Sequence, residues 1–448
     1  MAEDLNKMNT EDKAAGESVI SVTRSICPVC GRQLPAKRVR RGGNIYLERR
    51  CPEHGSFSAL IWRGSAGFFE GWCRGAEPIR DGENTCCPRD CGICAQHRQD
   101  TCCVLYEITR RCDLRCPFCF AHGGTGEDIP IERIRADLRN IIKPGRTFLQ
   151  LSGGEPAVRD DLPEIIAYAK DLGAKYIQLN TNGLRLGRDE AFTARLAEAG
   201  LSFAFLQFDG VDDDVFRKLR GRDCLAEKLR CIENCGRHNI GVTLVPTLVP
   251  GVNTHQVGEL IRFAAAHVPV VRGVHFQPVS FFGRYPHPPK DEDRYTLGDL
   301  LQDIYRQTEG KIKLANIAPS HCDHPLCGFH SSFIAMEDGE LIPLTTRKSE
   351  GCCCGTVTAE QNREYIGSRW LRKKRLVPEE PSPEEDDFDR FLRLSRTRSF
   401  TLTAMAFQDA YDLDIERLRH CSLHVYENGR YYPFCSRYLT LAGEEEKC

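Results

Sequence analysis

Three cysteines in one short loop are the most specific chemical signal in this sequence. Cys112, Cys116 and Cys119 form CDLRCPFC, directly after a β-branched, apolar segment at 104–109. Thiolates at this spacing can hold three irons of a four-iron cluster, which leaves the fourth iron without a protein ligand. Structural metal sites usually have four protein ligands, so three ligands indicate a coordination position for a substrate or cofactor. The loop therefore predicts a catalytic [4Fe-4S] cluster.

A second cysteine pattern lies near the N-terminus. Cys27 and Cys30 (CPVC) precede Cys51 and His54 (CPEH) by about twenty residues, which is typical of two metal-binding knuckles. We expect a structural zinc ribbon or rubredoxin-like site that holds zinc or a mononuclear iron. Cys73 is an alternative to His54 as the fourth ligand.

Two further cysteine sets predict auxiliary [4Fe-4S] clusters. The first set is Cys87, Cys91 and Cys94 in CCPRDCGIC, and its fourth ligand stays open. The candidates for that ligand are Cys73, Cys86, Cys102, Cys103 and His97. The second set combines the pair Cys322 and Cys327 (HCDHPLC) with the distant pair Cys421 and Cys435, which together offer four ligands.

The other cysteines call for different interpretations. Cys224, Cys231 and Cys235 lie at i, i+7 and i+11 of one predicted helix, so we expect them to be buried apolar side chains. The triplet at 352–354 lies in a polar loop, and a redox or sulfur-handling role is the alternative there to a loop without function. The total of 24 cysteines in 448 residues indicates metal ligation, because a chain of this length needs no disulfide scaffold.

The elements that position the first loop alternate between strands and helices. The predicted strands are 104–109, 147–152, 175–180, 203–209, 241–249 and 272–279. The predicted helices are 131–143, 161–172, 189–200, 224–238 and 254–267. This alternation predicts right-handed βαβ units and a parallel sheet. Six strands are two short of a closed eight-stranded barrel, so the fold class is α/β with a partial (β/α)6 barrel whose active face lies at the strand C-termini.

The segments around this barrel divide the rest of the chain. The expected units are a disordered lead-in at 1–20, the zinc-ribbon module at 21–74, an auxiliary iron–sulfur segment at 75–103, the barrel at 104–285 and a C-terminal extension at 286–448. The extension would hold the second auxiliary cluster and an acidic, proline-rich linker at 377–387.

Composition excludes several classes of protein. The 61 basic and 63 acidic residues give a formal net charge of −2, which argues against a nucleic-acid binder driven by net charge. No stretch is long and apolar enough for a membrane span, and residues 1–21 lack the apolar core of a secretion signal. We expect a cytoplasmic protein.

The cysteine loop resembles the defining motif of radical S-adenosylmethionine (SAM) enzymes, with Phe118 as the aromatic residue before the last cysteine. The resemblance implies that SAM binds the open iron and yields a 5′-deoxyadenosyl radical that abstracts a substrate hydrogen. LSGGEP (151–156) resembles the family motif in which Gly153, Gly154 and Glu155 meet the SAM amino group. LNTNG (179–183) and QFDG (207–210) stand where the family contacts SAM. They nominate Thr181, Asn182 and Asp209, although turn chemistry alone explains both segments equally well.

The whole set of motifs, over residues 27–437, resembles the group of tetraether-lipid synthases and pterin-methylase-like enzymes, and most of all its bacterial (seleno)protein branch, called TrsS. This resemblance implies C–C bond formation or methyl or methylene transfer on a small or lipid-like molecule, with an external one-electron reductant. The segment 370–420 shows no long apolar helix pair for a lipid. The alternatives are a radical SAM enzyme that modifies a peptide and a non-catalytic electron carrier or metal-knuckle binding module.

Overall fold

The computed structural model describes residues 16–74, 87–88, 92–346, 357–372 and 386–444. Its first unit is an antiparallel sheet whose strands pair in chain order. These strands are β1 (Ser18–Ile26), β2 (Gln33–Arg41), β3 (Asn44–Cys51) and β4 (Gly55–Arg63), and α1 (Ala66–Trp72) follows. The expected lead-in at 1–20 is therefore wrong at its end, because residues 18–20 belong to β1 and pair with β2.

The six predicted strands of the barrel are all present. The strands of this region are β5 (Cys103–Arg111), β6 (Thr125–Asp128), β7 (Phe148–Gly153), β8 (Tyr176–Thr181), β9 (Phe203–Gln207), β10 (Gly241–Val245), β11 (Thr247–Leu248) and β12 (Val271–Pro278). Six of them run parallel in the order β5, β7, β8, β9, β10, β12. Their carboxyl ends consequently lie at one edge of the sheet.

Helices cover this parallel sheet, and apolar side chains from both layers form the core. They are α2 (Ile131–Ile141), α3 (Leu162–Asp171), α4 (Leu184–Arg188), α5 (Glu190–Glu198), α6 (Asp213–Arg220), α7 (Leu225–Arg237) and α8 (Val257–Ala266). The five predicted helices are confirmed within a few residues, whereas α4 and α6 were not predicted. The three cysteines expected on one helix lie at or in α7 and are fully buried.

The C-terminal region extends the same sheet. Its elements are α9 (Leu297–Gln307), β13 (Ala318–Pro319), β14 (Gly328–Ala335), β15 (Leu341–Pro343), α10 (Ala359–Trp370), α11 (Asp387–Thr397), β16 (Ser399–Met405), α12 (Ile415–Arg419), β17 (Leu423–Glu427), β18 (Arg430–Pro433) and α13 (Phe434–Arg437). β16 pairs in parallel with β12, and β17 pairs in parallel with β5. A domain boundary at residue 285 is thus wrong for the sheet, because both exposed edges of the six-stranded unit are covered by later strands.

Buried charges connect the N-terminal sheet to the C-terminal region. Arg38 of β2 donates to Asp414 at 2.6 Å and to Glu416 at 2.7 Å, and the side chains of all three are nearly inaccessible. Such a pair contributes to stability only when its hydrogen bonds are satisfied, as they are here. The N-terminal unit is therefore fixed against the extension.

The predicted acidic linker lies mostly outside the described residues. Its last two residues do not fit the prediction, because Asp386 caps α11 through the backbone N–H of Asp389 at 2.8 Å and Asp387 begins the helix. No helix among the described residues has the length and apolar character of a membrane span.

Candidate active site and metal centres

The three cysteines of the CDLRCPFC loop line a cavity at the carboxyl edge of the parallel sheet. The volume of this cavity is about 190 Å³. Phe118 and the ends of β7, β8, β9, β10 and β12 contribute to its walls. The expected position of the loop, at the active face of the barrel, is confirmed.

Arg284 holds the cysteine loop in place. Its guanidinium donates to the carbonyl oxygens of Cys116 at 2.8 Å and Gly123 at 3.1 Å. Its backbone N–H and C=O bond to Cys119 at 2.9 and 3.0 Å. The loop backbone is thereby fixed from residue 116 to residue 123, which leaves the thiol groups facing the cavity.

Gly153 and Gly154 bring the second motif against this loop. Gly153 has a φ of +126°, and a Cβ there would lie 2.2 Å from the carbonyl oxygen of Thr109. A Cβ on Gly154 would lie 2.1 Å from the carbonyl oxygen of Arg111. Both glycines line the cavity. Glycine is needed at the two positions because the backbone lies against the end of β5, where a Cβ would clash.

Glu155 is fully buried between the ends of β7 and β8. Its carboxylate accepts hydrogen bonds from the Thr181 hydroxyl at 2.7 Å and from the backbone N–H of Asn182 at 2.5 Å. Burial nevertheless raises the pKa of Glu155 to about 7. The Asn182 amide donates to Asp113 at 2.6 Å, which connects this cluster to the cysteine loop. The structure therefore brings Thr181, Asn182 and Glu155 together as one wall of the cavity.

Asp209 occupies a different position from the one expected. Its carboxylate is fully buried, does not line the cavity, and accepts two hydrogen bonds from Arg220 at 2.7 and 2.6 Å. Arg220 does line the cavity, and its guanidinium lies close to the Cys116 thiol. Asp209 consequently acts on the cavity through Arg220 as a positioning residue.

Three residues of the site were not predicted from the sequence: Arg220, Arg284 and Lys228. Lys228 is fully buried in α7, where its Nζ donates to the carbonyl oxygens of Asn182 at 2.8 Å and Gln207 at 2.6 Å. It therefore fixes the ends of β8 and β9. Nothing in the local sequence of a charged helix distinguishes such a residue from a solvent-exposed lysine.

The predicted N-terminal metal site is assembled by two turns of the first sheet. The ligand atoms of Cys27, Cys30, Cys51 and His54 all lie within 4.8 Å of one another. His54 Nδ1 is 3.6 Å from the Cys27 thiol and 3.5 Å from the Cys51 thiol. Desolvation opposes ionisation of Cys51, but hydrogen bonds from His54 and the backbone lower its pKa to about 6. These separations fit a tetrahedral ion, so the residues fit a bound metal.

Cys73 lies outside this group of four metal ligands. Its thiol is buried among Arg38, Glu416 and Arg417, and this burial raises its pKa to about 12. It does not belong to the group of four ligands around His54. The structure thus assigns the fourth position to His54.

The auxiliary-cluster cysteines are described only in part. Cys91 and Cys86 lie outside the described residues, whereas Cys87 is buried and Cys94 is half-buried. Cys327 lies close to Arg417, Cys421 and Cys435. Burial, reinforced by the Cys327 thiol, raises the pKa of Cys435 to about 12.

Cys322 has a different immediate neighbour from the other members of its predicted set. Its side chain packs with Cys102 and Ala359. Its thiol also lies close to Ser422, which follows Cys421 in the chain. Cys322 therefore contacts Cys102 and lies beside Ser422, the chain neighbour of Cys421.

Comparisons with known proteins agree with this geometry. The profile of the Radical SAM superfamily matches residues 106–264, and that of the HMPTM N-terminal zinc ribbon domain matches residues 19–63. The chain is 34% identical over 481 aligned residues to the 7,8-dihydro-6-hydroxymethylpterin dimethyltransferase of Methanocaldococcus jannaschii, with 94% of each chain covered. It is 35% identical over 271 residues to the Fe-coproporphyrin III synthase of Methanosarcina barkeri, covering 57% of this chain and 66% of that protein.

Among solved structures, SuiB of Streptococcus suis is similar with a TM-score of 0.38 and 17% identity, over 47% of this chain and 46% of SuiB. The sequence relationship to the dimethyltransferase extends over nearly the whole of both chains. The chain belongs to the radical SAM superfamily and is an enzyme of the radical SAM type.

Proposed function

We propose that this enzyme transfers a methyl or methylene group, or forms a C–C bond, on a hydrophobic or cofactor-like small molecule. The observation that carries the proposal is the cavity in which Cys112, Cys116 and Cys119 meet the Gly153–Glu155 segment. The relative that matches 94% of this chain is named as a pterin dimethyltransferase, which supports methyl transfer as the reaction class. A pterin is the first substrate to test.

Different residues at the cavity would bind the cluster and SAM. Cys112, Cys116 and Cys119 would hold a [4Fe-4S] cluster, and Glu155 would accept a hydrogen bond from the amino group of SAM. When bound, the cluster and SAM supply a 5′-deoxyadenosyl radical. Arg220 places a positive charge beside the Cys116 thiol.

The remaining wall of the cavity is suited to an apolar substrate. Phe205, Phe282 and Phe407 line it together with Val245. Aromatic and aliphatic walls exclude water from a reacting radical and stack against flat ring systems. A hydrophobic or heterocyclic substrate fits these walls better than a highly charged one.

The other metal centres are proposed to support this reaction. Cys27, Cys30, Cys51 and His54 would hold zinc, as the match to a zinc ribbon domain indicates. Cys87, Cys91 and Cys94 would hold one auxiliary [4Fe-4S] cluster, and Cys322, Cys327, Cys421 and Cys435 a second. An external one-electron reductant would supply the radical centre. We assign the chain to the branch called TrsS on its cysteine motifs.

Reductive cleavage of SAM tests the central proposal. Protein reconstituted without oxygen, given dithionite and SAM, is expected to release 5′-deoxyadenosine, and the Cys116→Ala variant is expected to lose this activity by several orders of magnitude. Cys235→Ala is the matched control, because Cys235 is a fully buried cysteine of α7 that does not line the cavity. Chromatography of the products measures the outcome.

The same assay, repeated with methyl-labelled SAM and 7,8-dihydro-6-hydroxymethylpterin, tests the reaction class. Label in the pterin supports methyl transfer to this substrate. Wild-type protein with intact clusters that releases no 5′-deoxyadenosine would contradict the proposal.

A further inference from the structure

A second cavity lies at the opposite end of the parallel sheet from the cysteine loop. Its volume is about 510 Å³, and its walls include Asn239 before β10, Arg272 at the start of β12 and Ser399 at the start of β16. The active-site cavity is lined by residues at or beyond the other ends of the same three strands, including Val245, Gln277 and Phe407. Because the three strands are parallel, the two cavities lie at opposite edges of the sheet.

The walls of this second cavity carry a large excess of positive charge. The lining arginines are Arg272, Arg369, Arg372, Arg393, Arg396 and Arg398. Glu337 is the acidic residue among the lining side chains, and it is exposed. Within the described parts of the chain, no carboxylate forms an ion pair with Arg272, Arg369, Arg372 or Arg398; their guanidinium groups donate to uncharged oxygens instead.

Arg272 is the most buried of these arginines, with 4% of its surface exposed. Its guanidinium donates to the carbonyl oxygens of Arg369 at 2.9 Å and Thr397 at 3.3 Å, and to the Ser399 hydroxyl at 2.5 Å. The two carbonyls lie at the C-terminal ends of α10 and α11, and each helix end supplies about half a negative charge.

Two half charges do not balance Arg272, Arg369, Arg372 and Arg398, for which the described residues provide no carboxylate partner. A buried guanidinium is ordinarily paired with an anion, because desolvation of an unpaired charge is costly. Burial, with Arg372 as a like-charged neighbour, lowers the pKa of Arg272 to about 10, so the side chain remains charged at pH 7. The described residues therefore leave the cavity with a deficit of negative charge.

We propose that this second cavity binds a multiply charged phosphate anion, at a site separate from the radical chemistry. Guanidinium groups form bidentate, charge-assisted hydrogen bonds with phosphate oxygens. The volume lies in the range of small-molecule sites. Since the cavity is at the far edge of the sheet from the cysteine loop, the anion is an effector or a structural ligand and does not take part in the reaction.

Calorimetric titration of the reconstituted full-length protein with inorganic pyrophosphate at low salt tests this proposal. One saturable site per chain is expected in the wild type. Arg372→Gln and Arg396→Gln are each expected to weaken binding about tenfold or more, as the loss of a charge-assisted hydrogen bond implies. Arg390→Gln is the matched control, because Arg390 lies on α11 but does not line the cavity, and it should bind as the wild type does.

A second titration with ADP distinguishes two sources of the phosphate group. If the site takes a nucleotide, ADP should bind and compete with pyrophosphate. If the site takes a free phosphate, pyrophosphate should bind and ADP should not. Absence of saturable binding by the wild type, or equal binding by the arginine variants, overturns the proposal. A variant with Glu379, Glu380, Glu384 and Glu385 changed to Gln gives one further outcome. If it binds pyrophosphate and the wild type does not, the chain's own acidic segment fills the site and the proposal is wrong.

Discussion

Glu155 shows how a single residue connects the fold to the binding of SAM. The raised pKa of about 7 means that the folded protein holds a proton on this carboxyl more tightly than the free side chain does. A ligand amino group needs the ionised carboxylate as an acceptor, so binding below pH 7 requires loss of that proton. Binding of SAM is therefore expected to weaken as the pH falls through about 7.

The expected size of this effect follows from the ionised fraction. With a pKa of about 7, roughly a tenth of Glu155 is ionised at pH 6 and about three quarters at pH 7.5, so the Kd for SAM should be about eightfold higher at pH 6 than at pH 7.5. Equilibrium dialysis across this range measures it. The Glu155→Gln variant should bind more weakly at both pH values and without the pH dependence; an unchanged slope in that variant would rule out Glu155 as the titrating group.

Residue by residue, the sequence predicted those parts of the site that lie in one short segment. The spacing of Cys112, Cys116 and Cys119 and the position of Glu155 after a strand were sufficient to place them at one edge of the sheet. Arg220 could not be found in this way, because its partners Asp209 and Cys116 meet it only after folding. Asp209 was nominated as a ligand contact from the resemblance of QFDG to a family position, and a turn after a strand does not reveal what its carboxylate faces.

At the scale of elements, the turns between β1 and β2 and between β3 and β4 assemble the N-terminal metal site. Cys27 and Cys30 come from one turn, and Cys51 and His54 from the other. His54→Ala is expected to lower the bound zinc from about one ion per chain to well below one, since a structural zinc site needs all four ligands. Elemental analysis after dialysis measures the zinc content.

Cys73→Ala provides the control for this element, because Cys73 is buried among Arg38, Glu416 and Arg417. It should retain the full zinc content. Loss of zinc in this variant together with retention in His54→Ala would contradict the assignment of the fourth ligand and restore the alternative that the sequence had left open.

The sequence predicted the regular elements well and the irregular ones poorly. β-branched runs and helical periods located six strands and five helices within a few residues. α6 was not predicted because only three of its eight residues are apolar, namely Val215, Phe216 and Leu219. Its N-terminus is capped by Asp212. Short, highly charged helices lack the repeated apolar positions from which a period can be recognised.

For the whole molecule, the C-terminal region adds strands to both edges of the sheet that the middle of the chain forms. Pairing of β16 with β12 and of β17 with β5 joins segments more than a hundred residues apart. Such pairing depends on tertiary contacts and is not encoded in local periodicity, which is why the C-terminal region was expected to be a separate extension. In contrast, membership in the radical SAM superfamily could be recognised from the sequence, through three cysteines and a Gly-Gly-Glu segment.

We expect a cluster held by Cys112, Cys116 and Cys119 to have an open iron that binds SAM. Electron–nuclear double resonance of the reduced protein with SAM labelled at its amino nitrogen and carboxylate oxygens tests this most directly. Hyperfine coupling from both labels to the cluster is expected in the wild type, and loss of that coupling is expected in Cys116→Ala. A reduced wild-type cluster that shows no coupling to either label at saturating SAM would mean that SAM does not bind the open iron.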